Sequence, residues 1–286
     1  MLAAIFFAGA AGVSGQLTYA RGQNVVAAFE GWERTADGTY NLVFSYYNRN
    51  YEEGLDVPVG PDNSVEPGGP DQGQPTYFAP GRHRYVFSVK VPKDWNRTKR
   101  LVWTLTVRGR TEKANAFLLP EWEINNQVRA MNTDANPAGT GGEGAEQNQA
   151  PQITVDRTQT ISLPAQATLT ALVTDDGLPK PRARRPTASR ASAATPERGA
   201  SGPAADGASP TITPARGPQL RVEWVKYRGP VGGRIQFTPD TSPVVEGKAT
   251  TTASFTVPGQ YVVRAYANDG AVTTPADVAF TVLPSR

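Results

Sequence analysis

The stretch ATLTALVTDDG, residues 167–177, decides how this chain is read. Ala167, Leu169, Ala171 and Val173 alternate with Thr168, Thr170, Leu172 and Thr174. A period of two puts successive side chains on opposite faces of an extended strand, so one face is built for a core. Asp175-Asp176-Gly177 then breaks the run with residues that tolerate the positive φ of tight turns. Working outward, Ile153 and Val155 lead in, and strand-like runs resume at 220–229, 234–237, 249–259, 260–270 and 276–284. Toward the N-terminus, residues 24–32 form an apolar run, and Ala36-Asp37-Gly38 is a hairpin turn signal. In YNLVFSYY (40–47), Leu42, Phe44 and Tyr46 share a face. Tyr85, Phe87, Val89 and Val91 form another such row, and Leu101, Trp103, Leu105 and Val107 a third, with one more strand over 113–119. Leu55 to Val59 is short, and Pro58 suits it to an edge. No helical period runs beyond ten residues. The fold class is all-β: two antiparallel β-sandwich domains joined by a flexible linker.

The bulk composition agrees. A chain of 286 residues with 28 Gly and 25 Pro has room for two domains rich in turns, plus linkers. Residues 23–128 form the first domain, the Gly-rich stretch 129–150 a flexible linker, and 151–286 the second domain. Within the second, residues 178–217 hold almost no large apolar side chain and cannot bury enough surface to offset their ordering entropy, so they read as a disordered insert. Its basic residues, Lys180, Arg182, Arg184, Arg185, Arg190 and Arg198, read as solvated. The net charge of +3, with no basic stripe interleaved with aromatics, argues against a nucleic-acid partner. With no cysteine there is no disulfide framework, thiolate nucleophile or cysteine zinc site.

Residues 1–16, MLAAIFFAGAAGVSGQ, are too short to span a bilayer and end in small residues. Residues 1–22 therefore read as a signal peptide, although no Lys or Arg precedes the apolar run. Cleavage sites fit before Arg21 and at Val13-Ser14-Gly15. The expected location is the periplasm or the extracellular space, with no transmembrane span once the signal is removed.

The order of strands from 151 to 285 resembles bacterial Ig-like domains of the PKD and cadherin-like kind. Trp224 on a central strand, Phe255 before Pro258-Gly259-Gln260-Tyr261, and the ending Ala267-Asn268-Asp269-Gly270 carry the resemblance. It implies a sandwich in which the insert replaces a compact loop. With FEGW (29–32), YYNRN (46–50) and VGPDNSVEPGGPDQGQPT (59–76), the first domain resembles a group of exported bacterial proteins, a resemblance that brings no activity with it.

Two places invite ligands. The strands ending at Val173 and Ala267 would run parallel in opposing sheets, so Asp175, Asp176, Asn268 and Asp269 would gather near Pro151-Gln152. Such an oxygen-rich cluster suits Ca²⁺, and the same residues also make ordinary turns. The segment GPDNSVEPGGPDQGQ (60–74) is long for a strand connection and carries Asp62, Asn63, Glu66 and Asp71. With an exposed member of the pair Tyr46-Tyr47, taken here as Tyr47, it suits a protein or glycan partner, or serves structure alone. Catalytic residues are not assigned. His83 is the lone histidine, and no nucleophile elbow, P-loop or HExxH motif occurs. The expected function is a non-catalytic exported module for binding or assembly; the alternatives are a carbohydrate-binding accessory protein and a glycoside hydrolase with two carboxylates across a cleft.

Overall fold

Alternation becomes strand pairing throughout the computed structural model, which describes residues 19–132, 144, 146–164, 166–180 and 220–285. The signal peptide up to residue 18 and the insert from residue 181 onward lie outside the described residues. The chain divides into two units. The first runs to Glu123 and includes Lys226–Gly233 and Gly259–Tyr261; the second comprises Ile124–Val225, Arg234–Pro258 and Val262–Arg286.

The first unit has eight strands: β1 (Val25–Arg34), β2 (Tyr40–Asn48), β3 (Leu55–Asp56), β4 (Asn63–Glu66), β5 (Tyr77–Phe78), β6 (Gly81–Val91), β7 (Leu101–Val107) and β8 (Arg110–Ala116). They form sheets β1-β2-β6 and β4-β7-β8, with β3-β5 as a two-stranded ribbon. The β1–β2 hairpin turns where Asp37-Gly38 stands. Gly38 has φ 80°, and Asp37 Oδ1 accepts the backbone N–H of Thr39. Leu42, Phe44 and Tyr46 are buried, as are Leu101, Trp103, Leu105 and Val107. The two sheets meet through Trp103, whose ring centroid lies 4.9 Å from Phe87 and 6.0 Å from Phe44.

Two local departures from the sequence reading have physical causes. Residues 63–66 lie in the segment read as a loop, yet they form β4 and pair antiparallel with β7, Val65 opposite Trp103. Four residues between proline-rich turns are too few to show a period, and the polar Asn63 hides a core position. The row in β6 is also broken. Tyr85 takes φ 53°, the register shifts opposite Ser45, and Val86 and Phe87 are both buried. A bulge of this kind re-aims side chains and cannot be read from alternation.

The remaining nine strands form a sandwich that belongs to the second unit except for the Lys226–Arg228 end of β12 and the Gly259–Tyr261 start of β16: β9 (Gln152–Val155), β10 (Thr158–Ser162), β11 (Gln166–Thr174), β12 (Arg221–Arg228), β13 (Ile235–Thr238), β14 (Thr241–Pro243), β15 (Lys248–Phe255), β16 (Gly259–Asn268) and β17 (Thr273–Leu283). One sheet has the order β10-β17-β16-β12-β14 and the other β13-β15-β11-β9. β9 pairs antiparallel with β11, whereas β10 crosses to the other sheet and pairs parallel with β17. Leu169, Ala171 and Val173 face the core with Trp224, and Phe255 meets Phe280 at 4.9 Å. The helix α1 (Asn126–Met131) precedes these strands and overlaps the stretch read as linker from 129. The Asn125 side chain caps it at Val128 N–H, and Ala130 packs on Ala271 and Val272. Six residues are too few to display a helical period.

Trp103 Nε1 donates to Asn63 Oδ1 at 3.0 Å in the buried core. The conservative change Trp103→Phe keeps an aromatic ring but orphans that acceptor, so urea unfolding is expected to show a loss of about 1–3 kcal/mol.

Candidate functional site

The segment 60–74 spends most of its polar chemistry on itself. Asn63 is fully buried, and its Nδ2 donates to the carbonyls of Val57 and Pro75 at 2.9 and 2.8 Å. Gln74 is fully buried as well, donating to Pro70 and Asn63 carbonyls and accepting from Gln72 N–H. Gln72 Nε2 faces the carbonyls of Val65, Pro67 and Gly69. A segment rich in proline has few N–H groups to offer its own carbonyls, so amide side chains supply the donors. Asn63 therefore does not reach the surface as a partner contact. Asp62 and Glu66 are exposed, and Glu66 Oε2 accepts Gly69 N–H at 3.3 Å.

Asp71 is held by a guanidinium. Arg228, within the first unit, grips it with two nitrogens at 2.8 and 3.0 Å, and this bond holds the carboxyl below its ordinary range despite partial burial. Around it, Tyr227 Oη donates to Gly73 O at 2.5 Å, Thr76 N–H to Tyr227 O, and Arg228 Nε to Gln74 O. Beside these, Lys226 is buried. Its ammonium donates to Asp56 Oδ1 at 2.5 Å and to Gly233 O at 2.6 Å, and lies 4.7 Å from the Tyr77 ring centre. Asp56 Oδ2 accepts Gly232 N–H. These partners escaped the sequence reading, although a signal existed: Lys226 continues the row Val222, Trp224, which is buried. A lysine in an apolar row calls for a buried acid.

A shallow concavity of about 460 Å³ opens beside this network, lined by Asp56, Pro58, Asp62, Val107 and Arg108 among others. Two carboxylates line it, but Asp56 is already tied to Lys226 and Gly232, and Arg108 to Glu53 at 2.7 Å. His83 stacks on Tyr46 and shares a hydrogen bond with Pro80 O at 3.0 Å.

The surface chemistry of the first unit sits elsewhere. From Tyr46 to Tyr51 burial alternates strictly: Tyr46, Asn48 and Asn50 are buried, while Tyr47, Arg49 and Tyr51 are exposed, Tyr51 by 74%. The inward asparagines form a ladder, Asn50 Nδ2 to Asn48 Oδ1 and Asn48 Nδ2 to Phe78 O, which fixes the strand end. Tyr47 lies opposite Arg82 on β6. Tyr51 N–H donates to the carbonyl of Tyr19, which is itself 46% exposed. The sequence reading named Tyr47 beside Asn48-Arg49-Asn50, and Tyr51 was not among its candidates.

In the second unit, the turns after β11 and β16 bring Asp176 and Asp269 within electrostatic reach of Asp175. Burial, aided by the charges of Asp269 and Asp176, holds the Asp175 carboxyl above its ordinary range. Asp269 is buried and accepts the N–H groups of Ala271 and Val272 and the Asn148 amide. Asp176 accepts Gln149 N–H and Leu178 N–H. Asn268 Oδ1 instead closes its own turn on Gly270 N–H. Among the described residues, no three acidic, histidine or cysteine side chains are set to hold a metal by themselves, and no helix is long and apolar enough to cross a membrane.

No family model matches the chain, and neither does any curated protein. The solved structures it resembles are PKD and Ig-like domains. The PKD domain of human KIAA0319 is 17% identical, covering 48% of this chain and 85% of that domain, with a TM-score of 0.25. Domains 4–9 of the surface layer protein SbsC are 9% identical over 88% of this chain and 26% of that one, with a TM-score of 0.27. The eight N-terminal Ig domains of Down Syndrome Cell Adhesion Molecule are 7% identical over 91% of this chain and 27% of theirs, with a TM-score of 0.24.

Two measurements check these assignments. Removing one partner of a buried ion pair leaves an uncompensated charge, so Lys226→Met is expected to cost about 3 kcal/mol in chemical denaturation. Replacing Asp56 as well, as in Lys226→Met with Asp56→Leu, recovers much of that. The second measurement concerns pH. A carboxyl whose folded pKa exceeds its unfolded value binds its proton more tightly when folded, so its charge destabilises the fold at neutral pH and ceases to do so below that pKa. Asp175→Asn is therefore expected to melt above the parent at pH 7, with the gap closing as pH falls. The comparison isolates Asp175 from Glu53 and Asp71, whose lowered values act in the opposite direction.

Proposed function

We propose that the protein is a non-catalytic exported module that binds a partner in the bacterial envelope or outside the cell, through the tyrosine and arginine face of its first unit. The observation that carries this reading is the strict alternation from Tyr46 to Tyr51, which keeps Tyr47, Arg49 and Tyr51 on the outside while the residues between them anchor the strand. Exposed aromatic side chains give large contact area at low entropic cost, and arginine adds forked donors. Two more observations support a binding role without chemistry: Asp56 and Asp71 already serve ion pairs, and His83 is stacked on Tyr46. Export is supported by the apolar run with small residues at its end in residues 1–16.

The same face favours a glycan over a protein partner. Tyrosine rings stack on the C–H faces of sugars, and the Arg49 and Arg82 guanidinium groups suit their hydroxyls. A panel of envelope and extracellular polysaccharides, tested by affinity electrophoresis on the full chain, is expected to yield a retarding glycan. Tyr47→Ala with Tyr51→Ala is expected to weaken that binding at least about tenfold, equivalent to roughly 1.4 kcal/mol, with an unchanged melting midpoint. Unaltered retardation of the double variant would remove this face from the function.

A further inference from the structure

Asn48, Asn50 and Asn63 turn their amides inward to serve the backbone and one another. Asn96 does the reverse. It lies in the connection from β6 to β7, where Trp95 is half-buried and Asn96, Arg97 and Thr98 are exposed. The Lys99 ammonium sits 4.2 Å from the Trp95 ring centre. Trp95 N–H donates to Pro92 O and Lys99 N–H to Asn96 O, both at 3.0 Å, so two turns fix the path of the loop. Asn96 Oδ1 accepts the backbone N–H and the hydroxyl of Thr98 at 2.9 and 2.8 Å. Its Nδ2 has no hydrogen-bond partner among the described residues. A free amide nitrogen thus stands beside the hydroxyl of the residue two positions on.

Asn-x-Ser/Thr, with x other than proline, is the acceptor sequence for N-glycosylation of exported proteins. Asn96-Arg97-Thr98 is the one match in this chain, since no other asparagine has Ser or Thr two positions on. Asp94 stands two residues before it and is exposed. Such a short pattern also arises by chance, and an Asx turn closes a loop without any sugar. The structure adds what the pattern lacks. The site is exposed, its nitrogen is unused, and it lies outside every strand, so an enzyme can grip the backbone without breaking a ladder. We propose that Asn96 is an N-glycosylation site, with the Thr98 hydroxyl and the Asp94 carboxylate as the groups that a transferase reads on either side of it. The proposal rests on the reading that the chain is exported.

The donor is an oligosaccharide joined through its anomeric carbon to a polyprenyl diphosphate, and an oligosaccharyltransferase catalyses the transfer. An amide nitrogen is a weak nucleophile, because its lone pair is delocalised into the carbonyl. The enzyme must therefore turn the Asn96 amide, which an unpaired Nδ2 permits. Nδ2 bonds to the anomeric carbon, the bond from that carbon to the diphosphate oxygen breaks and takes its electron pair with the lipid, and Nδ2 gives up one proton. Nothing is oxidised or reduced. Tyr40 pairs with Val91 and Tyr47 with Arg82, so the loop leaves the far end of β2, roughly 24 Å from Tyr47 at about 3.4 Å per residue. A glycan on Asn96 leaves the tyrosine face open.

The test incubates the purified full chain with a bacterial oligosaccharyltransferase and an undecaprenyl-diphosphate-linked oligosaccharide, and reads the intact mass and the modified peptide. The expected result is a gain of one oligosaccharide per chain, located on Asn96. Asn96→Gln is expected to abolish it, and Thr98→Ala and Asp94→Ala to reduce it. Thr98→Ser keeps the hydroxyl and is expected to keep the adduct, which separates recognition from folding. Three results would overturn the proposal: no adduct on the chain while a control acceptor peptide is modified in the same reaction; an adduct that survives Asn96→Gln; or an adduct undiminished in both Thr98→Ala and Asp94→Ala. The chain meets the transferase directly, so none of these depends on export. A failure of residues 1–22 to direct export is read separately, by fractionating cells that express the full chain, and none of these results bears on the tyrosine face.

Discussion

A β-sandwich with long connections must satisfy the carbonyls of its connections without water, and in this protein side-chain amides do most of that. Asn63 is the central case. It sits at the first residue of β4, fully buried, tying the Val57 and Pro75 carbonyls together and accepting from the Trp103 indole. Through Trp103 the same node reaches Phe44 and Phe87, so the aromatic stack between the two sheets and the path of the long connection are fixed together. Gln72 and Gln74 extend this role across the proline-rich turn, and Asn48 and Asn50 repeat it at the end of β2. Since buried backbone groups need partners, each amide does work that an apolar side chain of equal size would leave undone.

Charge is handled in two opposite ways. Lys226 and Asp56 are buried as a pair whose remaining donors and acceptors meet backbone groups at Gly232 and Gly233. Asp71 is likewise neutralised by Arg228. Among the described residues, the charges that act on Asp175 are those of Asp269 and Asp176, which carry its own sign.

Surface and interior are divided by the same period of two that builds the strands. Between Tyr46 and Tyr51, one side of the chain supplies asparagines that lock the strand end and the other presents Tyr47, Arg49 and Tyr51 to solvent. A rigid presentation lowers the entropic cost of binding, because the exposed side chains stand on backbone already held in place.

Much of this was legible in the sequence. Alternation at 40–47, 101–107 and 167–173 gave the all-β class and the core rows, because the side-chain period of a strand follows from its backbone alone. The turn residues at 36–38 followed from the same logic. Four features were decided only by tertiary structure: β4 within a proline-rich segment, the bulge at Tyr85, the burial of Asn63, and the use of Lys226, Arg228 and Asn148. Each depends on a partner far away in the chain. Asp56 meets Lys226 across 170 residues, Asp71 meets Arg228 across 157, and Asn148 meets Asp269 across 121. Local pattern determines which face of a strand is apolar. Which polar side chains are drawn inside depends on where the unpaired carbonyls and charges of other segments come to rest, and that is set only when the sheets have packed.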